Sequence, residues 1–267
     1  MPSSAKVALV TGASSGIGAA TARRLAHDPG TELVLVARRG DLLADLAASL
    51  PCPATWVAAD LTRPDAPELV RAHVEEHHDR LDLLVNNAGA GWRGTFGETG
   101  WANVHRHMEL NFDAVVRLTE AFLPLLRRSA PSAIVNVAST AGRVSRANSG
   151  AYSASKFALI GWTDALHLEE APYGVHVGMV LPGFIPTEGF PATELREKAL
   201  TRLILGTPEQ VAEAIHEVGP GGKAERYVPR LYAVVAQLRI LTPRLTRRVL
   251  GGGSASALTP AASERKD

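Results

Sequence analysis

A doubly wound α/β fold is what the sequence predicts: a single Rossmann-type parallel sheet of about seven strands with helices on both faces. Three observations point there. Short, nearly continuous runs of apolar and β-branched residues alternate with helix-length segments. That alternation implies right-handed βαβ crossovers and a parallel sheet covered on both sides. A glycine-rich turn follows the first apolar run and opens the first helical segment, where such a sheet meets its ligand.

The elements follow in order. Lys6–Thr11 (KVALVT) reads as the first strand and Gly16–His27 as the first helix. Glu32–Ala37 (ELVLVA), Thr55–Ala59 (TWVAA) and Leu81–Val85 (LDLLV) are the next strands, separated by helical segments Asp41–Leu50 and Pro64–His78. Ala133–Ala138 (AIVNVA) and Val175–Leu181 (VHVGMVL) complete six recognisable strands, with a helical segment over Asp164–Ala171 between them. A main domain over 1–229 is expected, with a lid at about 188–206. Residues 230–250 read as a basic amphipathic helix, and the small, polar stretch 251–267 as a disordered tail.

With 267 residues and 46% hydrophobic composition, one large domain can bury a substantial core. A net charge of +1 gives no general electrostatic case for nucleic-acid binding. The single cysteine, Cys52, excludes an intrachain disulfide and a cysteine-cluster metal site, and suits a reducing, cytoplasmic setting. No signal-peptide pattern or membrane-spanning apolar stretch is seen.

The charge is uneven. Arg230, Arg239, Arg244, Arg247 and Arg248 fall in a stretch without acids, which leaves residues 1–229 at −4. Leu231, Val234, Val235, Leu238, Leu241 and Leu245 share one helical stripe there, and Pro243 should break or kink the helix. Packing on the body or a neighbouring subunit, and peripheral contact with an anionic membrane, both fit this pattern.

After the first strand comes Thr11-Gly12-Ala13-Ser14-Ser15-Gly16-Ile17-Gly18. Gly12 permits a tight strand exit, Gly16 lets backbone approach a pyrophosphate, and Gly18 allows helix to pack on strand. The amides that open the helix would face the phosphates. The spacing TGxxxGxG, Asn86-Asn87-Ala88-Gly89 after the fourth strand, and Asp60-Leu61 after the third make the chain resemble the short-chain dehydrogenase/reductase family. That resemblance implies contacts to a nicotinamide dinucleotide from Gly12, Ser14, Ser15, Gly16, Ile17, Gly18, Asp60, Leu61, Asn87, Ala88 and Gly89.

At the end of the second strand, where NAD enzymes place an acid, this chain has Ala37 followed by Arg38 and Arg39. Guanidinium attracts a ribose 2′-phosphate that a carboxylate would repel. NADP(H) rather than NAD(H) is therefore expected. Arg38 resembles the family's selecting arginine; Arg39 either assists or starts the next helix.

Tyr152 and Lys156, four apart, share a helix face. Lysine is scarce here, five against 23 arginines, so its presence is seldom incidental. Ser139 ends the preceding strand at the ligand edge. Reduction of a ketone needs a proton for oxygen: Tyr152 can supply it, and the charge of Lys156 should lower the tyrosine pKa. Ser139 would hold the substrate oxygen. By resemblance, Lys156 and Tyr152 also contact the nicotinamide ribose, and Asn111 supports a proton relay to Lys156. Likewise Pro182, Gly183, Ile185 and Thr187 resemble the segment that orients the carboxamide.

The resemblance implies an oxidoreductase acting on CH–OH donors with NAD(P) as acceptor, and a homo-oligomer, dimer or tetramer, built through helices around Trp101–Arg128 and Ser153–Ala171. Trp92, Val144, Phe184, Phe190, Leu195 and Leu203 suggest a mainly apolar small-molecule substrate. The alternatives are a non-catalytic NADP(H)-binding regulator or scaffold of the same fold, and a sugar-nucleotide epimerase. The intact Asn111–Ser139–Tyr152–Lys156 set opposes the first; the loop spacing and the lack of a larger C-terminal domain oppose the second. His73 and His77 belong to a polar helix end, no metal site is expected, and His105 and His107 receive no role.

Overall fold

The structure, a computed structural model, describes residues 5–186 and 205–251. Seven parallel strands form one sheet in the order β3-β2-β1-β4-β5-β6-β7. They are β1 Lys6–Thr11, β2 Thr31–Ala37, β3 Ala54–Ala58, β4 Leu83–Asn86, β5 Ser132–Val137, β6 Val175–Pro182 and β7 Glu225–Val228. The helices are α1 Gly16–Leu25, α2 Gly40–Ser49, α3 Ala66–His77, α4 Phe96–Met108, α5 Ala114–Arg128, α6 Gly150–Glu170, α7 Pro208–Val218, α8 Tyr232–Leu241 and α9 Pro243–Gly251.

The predicted doubly wound fold is what forms. Helices α1, α2 and α7 cover one face around Val10, Leu33, Leu35 and Ile215. Helices α3, α5 and α6 cover the other around Leu9, Val34, Leu84 and Phe122. Strands buried from both sides explain why the apolar runs are continuous rather than alternating. β7 was not among the six runs, because Glu-Arg-Tyr-Val is only half apolar and pairs on one side, with β6.

Strand order reverses between β1 and β4, which pair Ala8 with Leu83 and Val10 with Val85. Their carboxyl ends open a crevice at this switch point. Helices α4 and α5 are joined by one π turn, Glu109–Asp113, which contains Asn111.

The C-terminal segment is broken at the expected proline: it forms two helices divided at Thr242, with Pro243 opening the second, where its missing N–H costs nothing. The predicted leucine–valine stripe does not pack on the body. Ala236 is buried while Tyr232 and Ala233 pack partly against Leu181 and Tyr227. Leu231, Val234, Val235, Leu238, Leu241 and Leu245 are exposed, from 38% to 75%. The body offers Gly183 at this contact, whose bare backbone leaves room for the flat Tyr232 ring. Among the described residues, no helix is long and apolar enough to cross a membrane.

Candidate active site

The glycine loop leaves β1 with Gly12 at φ +66° and reaches α1 through Gly16 at φ +55°, both left-handed conformations that favour glycine. A Cβ at Gly18 would lie 2.2 Å from the Gly12 carbonyl oxygen, so α1 crosses against bare backbone. The N-cap Ser15 makes no side-chain cap hydrogen bond, which leaves the opening amides of α1 to a ligand. The loop is held by the turn after β4. The Asn87 and Ala88 amides donate to the Thr11 hydroxyl at 2.9 and 3.0 Å, and Asn87 Nδ2 donates to the Thr11 carbonyl at 2.8 Å. Thr11, which sequence reasoning did not single out, thus joins the two turns at the switch point.

Beyond β2, Arg39 rather than Arg38 meets this loop. Its Nη2 donates to Ser15 Oγ at 2.9 Å and Ser14 Oγ at 3.2 Å, while Arg38 is exposed beside it. Two guanidiniums therefore flank the glycine loop, and Ala37 places no carboxylate there. After β3, Asp60 accepts from the Thr62 amide and hydroxyl at 3.0 and 2.8 Å, which closes a tight turn and leaves Leu61 buried. A cradle of amides, glycines and cations fits the phosphates of a nicotinamide dinucleotide.

The reacting groups gather at the carboxyl ends of β4, β5 and β6. The Ser139 hydroxyl donates to the Pro182 carbonyl at 3.4 Å and accepts from the Ala141 amide at 3.1 Å, and it faces the Tyr152 phenol. Lys156, one helical turn after Tyr152, is buried and donates from Nζ to the Val137 carbonyl at 2.9 Å. Asn111, fully buried, accepts from the Ala90 amide at 3.0 Å and donates to the Ala90 carbonyl and Ser155 Oγ at 2.9 and 3.1 Å. Its side chain thus clamps the Asn87–Ala90 turn to the π turn. A Cβ at Gly89 would lie 3.0 Å from Asn111 Oδ1 and 3.6 Å from Lys156 Nζ, so bare backbone separates them.

The electrostatics differ from the sequence expectation. Burial pushes the Tyr152 phenol up, while the Ser139 hydrogen bond and the charge of Arg146 pull it down. Lys156 is not among the groups that shift it: its Nζ lies 6.0 Å from the centre of the Tyr152 ring, held by Val137. Burial lowers Lys156 itself to about 8. The phenol is thus the protonated acid at neutral pH.

Gly183 donates its amide to Val228 at 2.8 Å, and Ile185 is buried in the core. Both hold the segment after β6 beside Ser139. Thr187, Phe190, Leu195, Leu203 and most of the expected lid lie outside the described residues.

His107 is the residue that motif reasoning missed. The loop after Gly89 folds back over α4, so the Trp92 amide donates to His107 Nε2 at 3.0 Å. His107 Nδ1 lies 2.6 Å from the Asn103 carbonyl, which identifies it as the donor nitrogen. The ring meets Tyr152 edge-on at 6.0 Å, and burial lowers its pKa. Only a fold-back that the spacing did not reveal brings it here. His73, His77 and His78 sit at the opposite end of the sheet, where His78 faces Glu32 at 3.2 Å. Cys52 is half-buried, and burial raises its thiol pKa.

A family model described as short chain dehydrogenase matches residues 6–198. The ketoacyl reductase HetN of a Nostoc species is 30% identical over 254 residues, covering 94% of this chain and 85% of its own length. The cis-4-hydroxycyclohexanecarboxylate dehydrogenase of Sinomonas cyclohexanicum is 36% identical over 218 residues, with coverages of 79% and 87%. Among solved structures, a short-chain dehydrogenase from Streptomyces avermitilis superposes with a TM-score of 0.76 at 33% identity, covering 93% of this chain and 98% of its own.

Proposed function

The chain belongs to the short-chain dehydrogenase family, whose members are oxidoreductases, and from that premise we propose an NADP(H)-dependent enzyme that interconverts a ketone or aldehyde with its alcohol. The observation that carries this reading is the gathering of the Ser139 hydroxyl, the Tyr152 phenol and buried Lys156 at the sheet's ligand edge. A regulator or scaffold would have no use for a buried proton donor there.

When bound, NADPH supplies the hydride that the carbonyl carbon accepts. Tyr152 gives its phenolic proton to the carbonyl oxygen, so one hydride and one proton make the alcohol. Ser139 donates a hydrogen bond to that oxygen and holds it against Tyr152. Lys156 binds the ribose hydroxyls of the cofactor. Asn111 fixes the turn that carries Gly89 between its own side chain and Lys156. Gly12, Ser14, Ser15, Gly16, Ile17 and Gly18 hold the phosphates, and Arg38 with Arg39 holds the 2′-phosphate. Asp60 and Leu61 border the adenine, while Pro182, Gly183 and Ile185 orient the nicotinamide, joined by Thr187 outside the described residues.

Trp92, Val144 and Phe184 favour a mainly apolar substrate body. Phe157, Gly161, Ala165 and Leu168 form an exposed, flat strip on α6, the face through which we place a homo-oligomer. The exposed stripe of α8 and α9 suits a different occupant. An isologous contact would set its four arginines against four more with no acid to answer them, whereas an anionic lipid surface satisfies both charge and apolar area. We therefore place the enzyme in the cytoplasm, in peripheral contact with a membrane.

The test is cofactor oxidation over a panel of apolar ketones with NADPH and NADH. NADPH should be favoured strongly, and the double variant Arg38→Ser, Arg39→Ser should lose roughly 10- to 100-fold of that preference, the value of charged hydrogen bonds. Equal use of both cofactors by the wild type would overturn the NADP(H) reading.

A further inference from the structure

Two loops meet beside Tyr152, and each carries a half-buried arginine. The first runs from Gly91 to Thr95 and lies on the tyrosine: a Cβ at Gly91 would be 3.5 Å from its ring. The second, Ser145–Ser149, leads directly into α6. They are laced together where the Gly94 amide donates to the Asn148 carbonyl at 3.1 Å. Asn148 makes this possible by adopting φ +61°, a left-handed conformation that asparagine tolerates. The Ser149 amide and hydroxyl both donate to the Arg146 carbonyl, at 3.3 and 3.0 Å. The backbone of Arg146 is thereby fixed, and its guanidinium lies over the Phe184 ring at 4.5 Å.

Phe184 follows Pro182 and Gly183, so Arg146 stands on the substrate side of the site. Among the described residues, the groups that act on its charge are the Tyr232 and Tyr152 phenols and the Arg93 guanidinium, with no carboxylate. Burial disfavours the charged form of Arg146, and the Arg93 cation disfavours it further. A partly desolvated guanidinium stacked on Phe184 beside a proton donor is stabilised by an anion that accepts from its planar donor fork.

We propose that Arg146 binds a carboxylate of the substrate, so that the compound reduced is an oxo-carboxylate or oxidised is a hydroxy-carboxylate with an apolar body. The inference rests on the reductase reading and narrows its substrate class. The carboxylate anchored at Arg146 orients the reacting carbonyl toward Ser139 and Tyr152, while Trp92 and Phe184 cover the chain between.

The experiment compares straight-chain keto acids with their methyl esters at fixed NADPH. The acid-to-ester ratio of kcat/KM should exceed one by roughly 10- to 100-fold. In Arg146→Gln it should collapse toward one, and in Arg146→Lys recover in part. Any influence of Arg146 on the acidity of Tyr152 acts on both substrates alike and cancels in the ratio. A wild-type ratio near one, or a ratio unchanged in Arg146→Gln, overturns the proposal while leaving the reductase intact. A second arm needs no turnover: pentanoate should raise the wild-type melting temperature in the presence of NADPH, pentanamide should not, and Arg146→Gln should abolish the difference. Equal shifts from acid and amide overturn the proposal even where no ketone in the panel is reduced.

Discussion

Lys156 bears an opposition between folding and chemistry. Its ammonium is buried with one carbonyl acceptor, and burial brings it from 10.5 to about 8. That displacement corresponds to a cost of about 3 kcal/mol at neutral pH. The folded value lies below the unfolded one, so the unfolded chain binds more protons between about 8 and 10.5, and stability rises as pH climbs through that window. Lys156→Met should therefore melt higher than wild type at neutral pH, with turnover lost; a lower melting temperature would contradict the burial cost. His107 shows the same sign at lower pH. Its folded pKa is depressed below 6.5, so its contribution is complete above 6.5 and is lost as pH falls toward the folded value. Protonation removes the acceptor for the Trp92 amide. His107→Ala should raise KM more than it lowers kcat, and His107→Gln, which keeps an acceptor, should recover part of the loss. A fall in kcat with KM unchanged would contradict a positioning role. At this scale the sequence discloses residues whose partners lie at fixed spacing: Tyr152 with Lys156, and the glycines of the first turn. It leaves the part of Arg39 open and does not disclose Thr11, His107 or Arg146, whose partners are brought by loop paths that no local spacing encodes.

Elements meet here through glycines, and the clearance at each decides what can change. Gly18 faces the Gly12 carbonyl, a backbone atom with no rotamer to yield, so Gly18→Ala should distort the cofactor loop itself. Gly183 faces the Tyr232 ring, where an added Cβ would come within 2.2 Å. Gly183→Ala should lift α8 from the body, which limited proteolysis would register as faster cleavage between β7 and α8. Unchanged cleavage would mean that the ring shifts freely. Tyr232, pushed up to about 12 by burial, remains a neutral phenol throughout such an assay. Strands and most helices were legible because burial on both sheet faces leaves uninterrupted apolar runs. β7 was not, as an edge strand tolerates Glu225 and Arg226. The docking face of α8 is settled by the body rather than by the apolar stripe: the body takes Tyr232, Ala233 and Ala236 and leaves the stripe exposed.

At the scale of the molecule, an acidic body carries a basic, apolar appendage, and the two ask for different surroundings. Deletion of residues 230–267 should abolish pelleting with vesicles rich in phosphatidylserine, leaving wild type bound to them but not to neutral vesicles. Wild type that stays in solution with both, and changes its mass in solution on deletion, would assign the stripe to a second copy. The site, by contrast, is built entirely at the carboxyl ends of the strands, as the doubly wound order requires. Its central claim is that Tyr152 is the proton donor of a carbonyl reduction. The most direct measurement is NADPH binding and ketone turnover in Tyr152→Phe, measured side by side with wild type. Phenylalanine keeps the ring and its contact with His107 and removes only the hydroxyl. Binding within a few-fold of wild type, with kcat reduced roughly 10²- to 10⁴-fold, is the expected result. Turnover that survives the loss of the hydroxyl would contradict it and move the acid to another group.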